Sequence, residues 1–90
     1  MITIKVLSLG APERYAVCRV LAAVQQELQS HDPQLQMTIT EVNDAGQIGR
    51  YASVLVMPTL VINEKVVCSG RFPTRDEVIG WFREAMEANP

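Results

Sequence analysis

The sequence predicts an α/β domain with a four-stranded mixed sheet flanked by helices, on three observations. Apolar alternation marks strands at both ends of the chain's first half, two helical stripes carry capping signals, and a two-residue link joins a late pair of apolar runs. The order that emerges is β-α-β-α-β-β-α. At 90 residues and 48% hydrophobic content the chain supports one core, so residues 1-90 are expected to form one domain.

In segment 2–9, Ile2, Ile4 and Val6 share one face and Thr3, Lys5 and Leu7 the other, a strand ending at Gly10. Pro12 then suits the first position of a helix, where no amide donor is needed, and Glu13 in that first turn complements the helix dipole. Val17, Val20, Leu21, Val24 and Leu28 give that helix an apolar stripe until Ser30-His31-Asp32-Pro33 ends it. His31 is placed in the loop, a lone histidine with no ligand or catalytic partner nearby in sequence.

Residues 36–42 alternate Met37 and Ile39 with Thr38 and Thr40 as a second strand. Asp44 and Gln47 have capping-box spacing for a short helix, which Gly46 and Gly49 weaken and Ile48, Tyr51 and Ala52 must sustain by packing. The run from Leu55 to Ile62 and the segment from Lys65 to Ser69 form a hairpin across Asn63-Glu64, a link without the glycine that usually supplies positive φ. Thr74 and Glu77 form a second capping box, and Val78, Ile79, Phe82, Ala85 and Met86 face the core behind it. Trp81 is read as a packing anchor on that last helix. Right-handed crossover makes the first two strands parallel, and the short link makes the last two antiparallel.

Eight Lys and Arg against ten Asp and Glu, with signs interspersed, leave a formal charge of −2 and no basic footprint for nucleic acid. No apolar stretch reaches the roughly 20 residues that a membrane span requires. The N-terminus alternates like a strand and has no basic leader before an apolar run, so a cytoplasmic location is expected. Cys18 and Cys68 fit neither a disulfide framework nor a zinc site, and no metal or cofactor is expected.

The element order, Gly10-Ala11-Pro12-Glu13-Arg14 at the first helix and Met57-Pro58-Thr59 before the third strand resemble the thioredoxin superfamily, in particular its small thioredoxin-like (redox-active disulfide) proteins. The Pro-Thr-Leu-Val-Ile-Asn run and the Ser69-Gly70-Arg71 exit carry the resemblance most specifically. It implies a Cys-x-x-Cys pair at the first helix start, where this chain has Ala11 and Arg14. Dithiol exchange needs a thiolate held at the helix N-terminus and a second thiol to displace the mixed disulfide, and neither residue supplies one. The resemblance also implies that Pro58 is cis and faces the site.

Three functional readings follow. The leading one is a non-catalytic module that binds a protein or extended peptide in a groove with Met57, Pro58 and Thr59 on one wall and Ala11, Pro12 and Tyr15 on the other. A second is monothiol redox chemistry at Cys18 or Cys68, for which Cys18 lies a full turn beyond the favourable helix start. A third uses Arg14 and the helix N-terminus for an anion, against the simpler reading that Arg14 is solvated or pairs with Glu13 or another carboxylate. The partner and the oligomeric state are left open.

Overall fold

The computed structural model describes residues 2–51 and 57–88. Its elements are β1 (Ile2–Leu7), α1 (Ala11–His31), β2 (Met37–Val42), α2 (Ala45–Ile48), β3 (Thr59–Ile62), β4 (Lys65–Ser69) and α3 (Arg75–Ala88). The predicted order is thus observed. His31 is the last residue of α1 rather than part of the loop, and it is exposed. Leu55, Val56 and Ala52 lie outside the described residues.

The strands form one sheet in the order β2-β1-β3-β4, with β1 parallel to β2 and antiparallel to β3, and β3 antiparallel to β4. This is the mixed sheet that the crossover and hairpin rules require. Period-two alternation sends Ile2, Ile4 and Val6 of β1 to one face with Leu60, Ile62 and Cys68. Val17, Leu21 and Val24 of α1 and Val78, Phe82 and Ala85 of α3 close over them. Each fully buried aliphatic or aromatic side chain there contributes roughly 1.5–3 kcal/mol through removal from water. On the opposite face Ile48 of α2 packs on Leu7 and Val61, flanked by Val42 and Tyr51. One turn of helix therefore covers only the end of that face.

Local chemistry sets each boundary. Asp44 Oδ1 accepts from the backbone amides of Gly46 (2.8 Å) and Gln47 (3.4 Å), capping α2. The Asn63-Glu64 link is a tight turn with both residues at positive φ, 51° and 67°, the geometry that suits strand twist but usually calls on glycine. Side-chain bonds compensate for that cost. Asn63 Oδ1 accepts from the Thr3 amide (3.0 Å), while the Glu64 carboxylate accepts from Lys5 Nζ and from the Tyr51 hydroxyl, both at 2.8 Å. Gly70 has φ 77°, where a side chain is disfavoured, and its amide donates to the Pro58 carbonyl at 3.1 Å.

The second capping box also forms. Glu77 N donates to Thr74 Oγ1 (3.2 Å) and Thr74 N to Glu77 Oε1 (3.0 Å). Arg71 adds a bidentate pair on the same carboxylate, at 2.8 and 2.6 Å. These bonds, Arg71 first and the Thr74 amide second, hold the Glu77 carboxyl down at about 2. Its unfolded value is about 4.3, so the stability it contributes is complete above that pH and is lost as pH falls through the folded value. Thermal melts between pH 6 and pH 2 should show Tm falling across this window, and Glu77→Gln should flatten that part of the profile.

Candidate functional site

The β1/β3 register builds the site. Leu7 pairs with Thr59, so Met57 and Pro58, which precede Thr59, lie at the sheet end where β1 runs into Ser8-Leu9-Gly10 and α1 begins. The two chain segments that the sequence singled out lie at one end of the sheet. The Gly70–Pro58 backbone bond brings the exit from β4 to the same end.

Arg14 organises this end. It lies in the first turn of α1 and is buried, 9% exposed. Its Nη1 donates to the carbonyls of Ser8 (2.8 Å) and Leu9 (3.4 Å), and its Nε donates to Glu41 Oε1 of β2 (3.3 Å). The guanidinium carbon also stands 5.9 Å from the centre of the Tyr15 ring. A planar fork with several donors suits this task, since it satisfies carbonyls that leave the sheet while tying the helix start to the neighbouring strand. Ser8 Oγ accepts from the Gly10 amide at 3.1 Å and completes the turn. The carboxylate expected to pair with Arg14 is Glu41, a residue distant in sequence.

Ala11 is half-buried as the first residue of α1, Pro12 is exposed, and the Glu13 carboxylate folds back over Gly10, where it would meet any Cβ at that position. A carboxylate therefore already lies against the helix start, and the guanidinium that an anion would seek is engaged by three oxygens. The anion reading loses both of its supports.

Pro58 is buried and Met57 half-buried. Among the described residues no peptide bond is cis, the Met57–Pro58 bond included. This corrects the expectation of a cis proline; trans is the form an X–Pro bond favours by about 0.5–1 kcal/mol. Thr59 is fully buried and its Oγ1 lies 3.1 Å from Ser69 Oγ across the β3/β4 pair, so its side chain joins the two strands instead of facing outward. Three of the exposed large apolar side chains belong to this end of the chain's path: Leu9 (41% exposed) after β1, Tyr15 (53%) on α1 and Phe72 (47%) after β4.

Both cysteines are free thiols. Cys18 is half-buried beside the main core, and its pKa is raised by burial first and by Glu41 second, with Arg14 opposing them. Cys68 is 5% exposed with Sγ 3.5 Å from the Arg71 carbonyl, and burial raises its pKa also. A raised pKa reduces the thiolate fraction at neutral pH, the reverse of what thiol exchange requires. Among the described residues there is no group of His, Cys, Asp and Glu able to hold a metal ion, and no described helix is long and apolar enough to cross a membrane.

The Lys5–Tyr51–Glu64 cluster was not visible in the sequence. Lys5 Nζ sits 3.3 Å from the Tyr51 hydroxyl and 5.5 Å from its ring centre, besides its bond to Glu64. The three residues come from β1, the turn after α2 and the hairpin link, so only the assembled sheet brings them together. They hold the strained turn against β1 at the end of the sheet opposite Pro58.

A mixed sheet with α1 and α3 on one face and α2 on the other, and a helix start at the same sheet end as the proline before β3, defines a thioredoxin-like α/β domain. A family model described as a thioredoxin domain matches residues 2–83, and the chain belongs to that family. No curated protein matches the sequence.

Proposed function

We propose that this chain is a thioredoxin-fold binding module without dithiol chemistry, which takes an extended segment of a protein at the sheet end beside Pro58. The observation that carries this reading is the state of Arg14. The position that would hold a resolving thiol holds instead a buried guanidinium spent on Ser8, Leu9 and Glu41. The helix start is thereby made rigid and chemically inert, while Leu9, Tyr15 and Phe72 stay exposed. Exposed aromatic and aliphatic side chains on a rigid frame favour binding because little side-chain freedom is lost on contact. The raised pKa values of Cys18 and Cys68 argue against the monothiol alternative.

The test is a titration of the isotopically labelled protein with a reduced and alkylated unfolded polypeptide, which offers extended segments but no thiol. The reading expects amide shifts concentrated at residues 9–15, 57–59 and 70–72. It also expects a dissociation constant raised about tenfold by Leu9→Ser combined with Phe72→Ser. An absence of shifts, or binding that requires a free thiol on the polypeptide, would count against it.

A further inference from the structure

The two edges of the sheet are built differently. β4, at one edge, opens with Lys65 and has a register shift opposite Leu60/Val61 that places Val67 as an extra residue. A bulge and a lysine are devices that discourage pairing with another strand. β2, at the other edge, is a regular strand of six residues with no bulge, proline or lysine. Its one charge, Glu41, is paired with Arg14.

The parallel register specifies what β2 presents. Ile2 N donates to the Gln36 carbonyl and Ser8 N to the Val42 carbonyl, so the even-numbered residues of β2 bond to β1. The N–H and C=O groups of Met37, Ile39 and Glu41 then point outward from the sheet. This outward row is self-complementary. With a two-fold axis through Ile39, an antiparallel copy pairs Ile39 with Ile39, Met37 with Glu41 and Glu41 with Met37, each pair exchanging both hydrogen bonds. Thr38 and Thr40 fall opposite each other on the exposed face, a favourable cross-strand pair. Sliding the axis by one residue in either direction loses one of the three bonded pairs.

The helix above this edge fits the same axis. Arg14 bonds to Glu41 of β2, and Gln29 Nε2 donates to the Leu35 carbonyl just before β2, so the stripe from Arg14 through Cys18, Ala22 and Gln25 to Gln29 lies on the β2 side of α1. Between its ends this stripe, Cys18, Ala22 and Gln25, is uncharged. α1 packs on both β1 and β2, so with strands about 4.8 Å apart, α1 and its copy would run about 10 Å apart, at the upper end of ordinary helix packing distances.

We infer that this chain forms a two-fold homodimer through β2, joining two four-stranded sheets into one continuous sheet with α1 packed against α1 of the second copy. The occupant is a second copy because the outward groups of β2 and the uncharged flank of α1 are satisfied by the same axis.

Sedimentation of the full chain from about 1 µM to about 1 mM, together with amide hydrogen exchange at both ends of that range, tests the assignment. The expected result is a monomer–dimer equilibrium in which the amides of Met37, Ile39 and Glu41 gain protection with concentration, while those of Thr38, Thr40 and Val42 are protected throughout. Thr38→Lys combined with Thr40→Lys sets ammonium groups opposite each other and should weaken the dimer at least about tenfold. Should that variant lose its fold by circular dichroism, Ala22→Arg on the helix flank takes its place with the same expectation. A monomer over the whole range, open-ended association, or a dimer that leaves the 37, 39 and 41 amides unprotected would overturn the assignment.

Discussion

Arg14→Ala should lower stability by about 2–4 kcal/mol, read as a drop in the denaturant midpoint with unchanged slope. The size follows from the position. The guanidinium is buried against two backbone carbonyls and a carboxylate, and truncation leaves the Ser8 and Leu9 carbonyls without that donor. Glu41 is partly exposed and water can recover part of its loss, which keeps the figure below that of a fully buried ion pair. Arg14→Lys should recover only part of the stability, since a point charge cannot reproduce the fork. A loss below about 0.5 kcal/mol in Arg14→Ala would mean that the guanidinium network is incidental.

Ala11→Cys combined with Arg14→Cys should change the chemistry altogether. The wild type is expected to leave an aromatic disulfide reagent at the background rate, because neither of its thiols is activated. A cysteine as the first residue of α1 faces the free amides and positive end of a helix 21 residues long. A shift of its pKa from about 8.5 to about 7 would raise the thiolate fraction at pH 7 roughly fifteenfold. The cysteine replacing Arg14 lies one turn on and can close the disulfide. The double variant should therefore turn over reagent in the presence of a reductant, with the stability penalty of losing Arg14. Equal rates in wild type and variant would show that the missing dithiol is not what sets this chain apart.

Much of the architecture was legible in the chain because it rests on local rules. The period-two runs, the Pro12 start of α1 and the Thr74–Glu77 capping box each depend on residues within a few positions of one another, and each appears as expected. The two-residue hairpin was legible too, but not the means by which it tolerates positive φ without glycine. That depends on Thr3, Lys5 and Tyr51, whose places are set by strand order. The site divides in the same way. That the chain has no Cys-x-x-Cys is a matter of inspection, whereas the partner of Arg14 is Glu41, 27 positions away on the parallel neighbour of β1. Thr59 read as a site residue because it follows Pro58, yet strand alternation and the Ser69 hydroxyl turn it inward. The proline isomer came from family resemblance alone, and the structure reverses that expectation.

The central claim is that this thioredoxin-family chain does not act through a thiol. Timed alkylation of the folded protein at pH 7, with Cys18 and Cys68 read separately by peptide mass and an unfolded control alongside, tests it most directly. Both thiols should label much more slowly than a model thiol and fully after unfolding. Labelling of either cysteine faster than the model thiol in the folded protein would contradict the account.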